Sequence, residues 1–269
     1  MRVLSLGAGR QSTALYLLAC AGRFGEDRPE VAYFADTGAE PQGVYAHLER
    51  LERERGHIIP IERVSAGNLA DTLIRNLAQT GGNASIPTFT SIPTFASGGG
   101  MGRRQCTREY KIAPIEKALR ARLGVAPGRR VPRGIRVEQW MGISADEASR
   151  MRANRRPYIT NRYPLAMELG WTAADCSRYV TEQGFTPAKS ACVFCPYTDN
   201  KRWRELAERG GEDWALAIQV DEAIRDNPKW NQKQYLTRRL LPIAELVRLP
   251  AAATEPNLFE NECEGVCSV

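Results

Sequence analysis

Along the first half of the chain, short apolar runs alternate with stretches whose apolar residues recur every three or four positions. The runs at 2–6, 31–35, 58–64 and 138–141 have the length and composition of buried strands, and the stretches at 11–20, 41–55, 68–77 and 113–123 carry the helical period. Such alternation predicts an α/β, Rossmann-like parallel sheet flanked by helices and joined by right-handed crossovers. The second half reads as helical, with helices expected at 201–208, 213–225 and 232–240. Another opens at Thr172-Ala173-Ala174-Asp175, which has the form of a capping box, and closes at Gly184. The expected division is an α/β domain at 1–170 followed by a helical, cysteine-containing C-terminal region at 171–269. Between 79 and 104 the pattern stops, and Ser85-Ile86-Pro87-Thr88-Phe89 returns as Ser91-Ile92-Pro93-Thr94-Phe95. A pattern-free stretch of that length is expected to form a mobile flap. A basic, proline-containing connection at 125–136 is expected on the surface, and beyond Pro250 the chain loses its period in a mobile tail.

Ligands of open parallel sheets sit beyond the carboxyl ends of the strands. Three loops fall there: Gly7-Ala8-Gly9-Arg10-Gln11-Ser12-Thr13, Asp36-Thr37-Gly38-Ala39-Glu40, and Gly142-Ile143-Ser144-Ala145-Asp146-Glu147 with Arg150 beyond it. The first is shaped to hold phosphate. Its glycines let backbone approach an anion, Ser12 and Thr13 offer hydroxyls, and the following helix points its unpaired N–H groups at the same place. It lacks the Gly-Lys-Ser/Thr of a Walker A loop and the third glycine of the dinucleotide fingerprint. The Asp36 turn suits a ribose or Mg²⁺, and Arg150 beside Glu147 suits a phosphate.

The chain has 269 residues, enough to bury a sizeable core, and 43% of them are hydrophobic. No apolar run approaches the roughly 20 residues that cross a bilayer, and the start does not read as a signal peptide, so a cytoplasmic protein without a membrane partner is expected. The net charge is +6, with arginines gathered at Arg103-Arg104, 129–136 and 150–162. That excess suits nucleic acid or polyphosphate; a merely solvated basic face is the alternative. Seven cysteines in a reducing compartment point to metal or redox chemistry rather than a disulfide framework. Cys20 reads as a core residue, and His47 and His57, without ligand spacing, read as packing or surface residues. Cys192-Val193-Phe194-Cys195 can grip one metal, and Cys106 and Cys176 complete a set of four soft ligands. A [4Fe-4S] cluster is the first expectation for that set, with structural zinc, a metal-free redox pair and unrelated core thiols as alternatives.

Together these motifs, with Cys106-Thr107-Arg108-Glu109-Tyr110-Lys111 and Lys189-Ser190-Ala191-Cys192-Val193-Phe194-Cys195-Pro196, occur in the order found in one family. The chain resembles the phosphoadenosine-phosphosulfate reductase-like branch of the ATP pyrophosphatases, and looks most like the sulfur-inserting members, including those of DNA phosphorothioation systems. The resemblance implies an adenine nucleotide on a Rossmann-like sheet, with Gly7 to Thr13 contacting its phosphates or sulfate. It points to an adenylating sulfurtransferase. An oxygen of a nucleic acid, DNA before tRNA, would attack the α-phosphorus of ATP, and sulfur supplied by a cysteine desulfurase would then displace AMP. Arg10, Ser12 and Lys111 would offset the transition-state charge, and Cys263 or Cys267 of the tail would carry a persulfide or attack the substrate. An adenylyl-sulfate or phosphoadenylyl-sulfate reductase, a tRNA thiolation enzyme and a non-catalytic nucleotide-binding subunit are the alternatives. One departure bears on metal use. The family loop is commonly Ser-Gly-Gly-x-Asp-Ser, whereas Gln11 stands here at the acid, leaving Glu40, Asp36 or Asp146 to assist Mg²⁺.

Overall fold

The computed structural model describes residues 1–80, 85–90, 100–186, 190–226 and 232–250. Its strands are β1 (Arg2–Ser5), β2 (Val31–Asp36), β3 (Ile61–Ser65), β4 (Phe89–Thr90), β5 (Gly100–Met101), β6 (Val137–Met141), β7 (Ile159–Arg162) and β8 (Gln234–Tyr235). Its helices are α1 (Arg10–Cys20), α2 (Gln42–Arg55), α3 (Leu69–Thr80), α4 (Ala113–Arg122), α5 (Pro164–Met167), α6 (Ala173–Glu182), α7 (Asn200–Arg209), α8 (Gly211–Arg225) and α9 (Ile243–Leu246).

Five strands form one parallel sheet in the order β3-β2-β1-β6-β7. The expected α/β, Rossmann-like architecture is the one observed. From β1 the chain builds outward through β2 and β3, and later returns to lay β6 on the other side of β1. The boundary between β1 and β6 is therefore the point at which such sheets open a crevice for ligands.

Side-chain alternation along the strands divides the core by face. Leu4, Ala32, Phe34 and Trp140 meet α1, α2 and α6 on one face, whereas Val3, Val31, Tyr33, Val137 and Ile159 meet Leu119 of α4 on the other. Helix α1 is buried from Gln11 to Ala19, as a helix sandwiched between sheet and α6 must be. The capping box is present: Thr172 N donates to Asp175 Oδ2 at 2.9 Å, and Asp175 N donates to Thr172 Oγ1 at 3.3 Å. A further core joins Leu69, Leu73 and Leu77 of α3 to Trp203, Leu206, Val220 and Ile224 of the C-terminal helices. Cys176 and Val180 of α6 belong to the sheet core, so a cut at residue 170 would divide one hydrophobic unit rather than separate two.

Two expectations are corrected. Residues 232–240 do not form a helix, because the backbone of Gln234 and Tyr235 pairs with β4 and Thr88 Oγ1 donates to Gln234 Oε1 at 2.7 Å. The described parts of the 79–104 stretch are not a loose flap. β4 pairs with β5, Cys106 N donates to Ser85 O at 2.7 Å, and Ile86 and Phe89 are buried. Gly, Ser, Thr and Pro composition concealed two-residue strands too short to show a period. Residues 91–99 and the tail with Cys263 and Cys267 lie outside the described residues. Among the described residues, no helix is long and apolar enough to cross a membrane.

Candidate functional site

At the end of β1 the chain turns through Gly7 to Gly9 into α1. The residue with unusual backbone is Ala8, fully buried at φ +55°, a left-handed conformation that costs a non-glycine residue about 1 kcal/mol. Ser12 helps to hold this turn. Its Oγ accepts from Gly7 N and donates to Gly9 O, both at 3.2 Å. Thr13 Oγ1 is engaged with His47 Nε2 at 3.1 Å. Both hydroxyls expected to contact phosphate are thus employed inside the protein, Ser12 as a loop staple and Thr13 as a tie to α2. What the first turn of α1 offers an anion is the set of amides that helix geometry directs outward at its N-terminus. Gln11, in the same turn, is 1% exposed, and neither its Oε1 nor its Nε2 has a hydrogen-bond partner.

The Gly142 loop presses on the same turn. A Cβ on Gly142 would meet Ser12 N at 2.7 Å, so only glycine fits there. Ile143 is buried, and Ser144 Oγ is buried without a partner. Glu147 is paired with Arg150, and Asp146 receives Ala173 N on both carboxylate oxygens, at 3.1 and 3.2 Å, anchoring the start of α6. Asp36 closes its own turn: Oδ1 accepts from Gly38 N and from Tyr45 Oη, both at 2.8 Å. Burial, with this carboxylate, raises the Tyr45 phenol well above its ordinary pKa. Gly38 adopts φ +68°, which favours glycine at this turn.

Two cavities flank this ground. The larger, about 80 Å³, lies at the carboxyl edge of the sheet, where Ser5, Gly7, Tyr33 and Gln139 meet Arg108 and Lys111. A chain of amides runs along it, with Gln139 Nε2 donating to Ser5 Oγ at 2.6 Å and Asn154 Nδ2 donating to Asn161 Oδ1 at 3.0 Å. Sequence reasoning missed Gln139, Asn154 and Asn161; the available signal was a polar residue at an inward position of a short apolar strand. The smaller cavity, about 30 Å³, is lined by Cys106, Cys192 and Cys195 together with Thr37 and Lys111.

Glu40 and Lys111 form the partition. The Glu40 side chain is 1% exposed, and its Oε1 receives Thr37 Oγ1 at 3.3 Å and Lys111 Nζ at 3.5 Å. Val193 N donates to Ala39 O at 2.9 Å, clamping the cysteine loop to the turn that carries Glu40. Cys192 Sγ then lies 3.3 Å from Thr37 Oγ1 and 3.9 Å from Glu40 Oε1. Burial pushes this thiol well above its ordinary range and Glu40 pushes further, while Lys111 opposes them.

The expected four-thiolate set does not assemble. Cys176 is fully buried in the sheet core on α6, whereas Cys106, Cys192 and Cys195 meet in the small cavity. Nearness in sequence misplaced Cys176, whose helix face is claimed by packing. Among the described residues, no group of three or more His, Cys, Asp or Glu side chains is arranged to hold a metal ion. A cluster or zinc at the three thiols would need a further donor from outside those residues.

The basic stretches also separate. Arg156 pairs with Glu116, Arg162 with Glu138 and Glu168, and Arg150 with Glu147, so that group is largely compensated. Arg129, Arg130, Arg133 and Arg136 are exposed, and they precede the first residue of β6, at the sheet edge opposite the cavities.

No protein-family model and no curated protein matches the chain. Among solved structures, it is similar to a phosphoadenylyl-sulfate (PAPS) reductase from Candida auris in a phosphate complex, with a TM-score of 0.43 and 12% identity over 69% of this chain and 74% of that one. The α/β assignment itself stands on the strand order and the helices that cover both faces.

Proposed function

We propose that the chain is an enzyme that moves sulfur on an adenine nucleotide. The observation that carries this reading is Lys111, which borders both the strand-edge cavity beside the anion loop and the cavity of the three thiols. A nucleotide with its anion on the first turn of α1 would bring its reacting end to that cation, and a thiol on the far side would give or accept sulfur.

Two reactions use these groups. In the first, an adenylating sulfurtransferase, a nucleic-acid oxygen attacks the α-phosphorus of ATP and releases pyrophosphate. The outer sulfur of a persulfide, supplied by a cysteine desulfurase and carried on Cys263 or Cys267, then displaces AMP; the other of these thiols attacks the carrier sulfur of the resulting disulfide, leaving sulfur on the acceptor and a cysteine disulfide that a dithiol reductant reopens. The ordered motifs from Gly7 to Pro196 support it, with a nucleic acid, DNA before tRNA, as the acceptor. In the second, a thiolate attacks the sulfate sulfur of adenylyl sulfate or its phosphorylated form, AMP or correspondingly phosphorylated AMP leaves with the bridging oxygen, and a dithiol reductant releases sulfite. Gln11, a neutral residue in the anion loop, favours the second. Both belong to a reducing, cytoplasmic setting, where thiols persist.

Anaerobic incubation with α-labelled ATP, DNA and a cysteine desulfurase with cysteine and a dithiol, and separately with adenylyl sulfate and a dithiol, distinguishes them. AMP with pyrophosphate supports the first; AMP with sulfite supports the second. Binding without turnover of either nucleotide leaves a non-catalytic nucleotide subunit.

A further inference from the structure

We propose that the connection between α4 and β6 is a docking surface for the phosphate backbone of duplex nucleic acid. Residues 118–137 hold six arginines and neither an aspartate nor a glutamate. On other surfaces the protein neutralises its guanidinium groups: Arg63 forks onto Glu52, Arg156 onto Glu116 and Arg162 onto Glu168. Arg129, Arg130, Arg133 and Arg136 are exposed, and among the described residues none of them pairs with a carboxylate. Unpaired arginines also stand singly elsewhere, as at Arg75 and Arg248, but here four fall within eight residues. The segment that carries them is built rather than slack. At the end of α4, Gly124 N donates to Ala121 O and Val125 N to Arg120 O, both at 2.9 Å, with Gly124 at φ +69°. Arg120 then turns its own guanidinium back, Nη2 donating to Ala126 O at 3.1 Å and to Arg129 O at 2.5 Å. One arginine thus fastens the turn from which the exposed four begin, and a surface ordered beforehand costs less to order on binding.

The chemistry of the set selects the partner. No lysine occurs among residues 118–137, and the planar guanidinium fork matches phosphate oxygens two at a time. At about 3.5 Å per residue the four arginines span at most about 25 Å, a length over which each strand of a duplex presents several phosphates at about 3.4 Å of axis apiece. A bilayer would need an apolar anchor beside the charge, and the large apolar side chains exposed among the described residues, Met167 and Leu249, lie outside this connection. Contacts to phosphate position a duplex without reading its sequence. Because the arginines precede β6, at the sheet edge opposite the two cavities, they hold a stretch of nucleic acid away from the reacting groups. This docking does not depend on a nucleotide at α1.

Fluorescence anisotropy of a labelled 30-base-pair DNA duplex with the full chain, between 50 and 200 mM NaCl, tests the surface. Four neutralised phosphates give a slope of about −3.6 in log affinity against log salt, a loss of about 100-fold over that range. Replacing Arg129, Arg130, Arg133 and Arg136 by Gln should weaken binding at 50 mM at least tenfold and bring the slope at least two units closer to zero. The control removes the same charge from exposed positions elsewhere, Arg75, Arg209, Arg238 and Arg248, and should lose less than threefold with the slope kept. If the fourfold loop variant does not fold, the pairs Arg129→Gln with Arg130→Gln and Arg133→Gln with Arg136→Gln carry the test, each reducing the slope by about 1.8. A loop variant that binds DNA like the wild type, or a control that loses as much as the loop variant, overturns the proposal. So does loss of binding to phosphatidylserine vesicles in the loop variant while its DNA binding is kept. Adenine-nucleotide affinity should be the same in the loop variant and the wild type, so failure of DNA docking and failure of the nucleotide reading are read separately.

Discussion

Gly142 stands so close to the first turn of α1 that a Cβ on it would lie 2.7 Å from both the N and the Cα of Ser12. The end of β6 and the start of α1 are thereby fixed against each other with backbone on both sides, and neither can yield without moving the anion loop. Gly142→Ala should therefore lower stability by about 2 kcal/mol through overpacking. The same shift should weaken nucleotide binding at least tenfold. Thermal melting with calorimetry checks both; an alanine variant that binds and melts like the wild type would show that the two loops are not coupled.

The Glu40–Lys111 pair should show the asymmetry of a buried ion pair. Lys111→Met leaves a carboxylate that is 1% exposed facing only the Thr37 hydroxyl and the Cys192 thiol, and a loss of about 3 kcal/mol is expected. Adding Glu40→Gln to that variant removes the stranded charge and should restore most of the stability, but not turnover. Denaturant unfolding of the single and double variants measures the recovery. A double variant no more stable than Lys111→Met would mean that the carboxylate is not what burial penalises.

His47 supplies a pH signature. Burial, helped by Arg50, lowers its pKa from 6.5 to about 4. The unfolded chain therefore takes up a proton below pH 6.5 that the folded chain refuses, so stability falls as pH drops from 6.5 towards 4 and does not change through this group above 6.5. Each pH unit inside that window should cost about 1.4 kcal/mol. His47→Gln should flatten the slope between pH 6.5 and 5 in unfolding titrations; an unchanged slope would assign it to other groups.

Much of this organisation is legible in the chain. The parallel sheet, the start of α1, the Asp36 turn and the capping box of α6 all depend on residues close in sequence, where period and cap chemistry suffice. What stayed hidden depends on distant partners. Ser12 and Thr13 were recognisable as donors, but not that Gly9 and His47 would claim their hydroxyls. Cys176 precedes Cys192 by one helix and a turn, yet its face of α6 is committed to α1. The pairing of β4 with β8 spans about half the chain through strands of two residues, with no period for a sequence reading to detect.

The most direct test of the central claim is calorimetric titration of adenine nucleotide against the wild type and Gly9→Val, with adenosine as the control ligand. If the first turn of α1 holds the anion, adenylyl sulfate or ADP binds the wild type and adenosine binds at least tenfold more weakly, because the loop contacts the anion rather than the base. Gly9→Val should then abolish nucleotide binding while its melting temperature stays within a few degrees of the wild type. Equal affinity for adenosine, or a valine variant that still binds nucleotide at wild-type strength, would contradict the account.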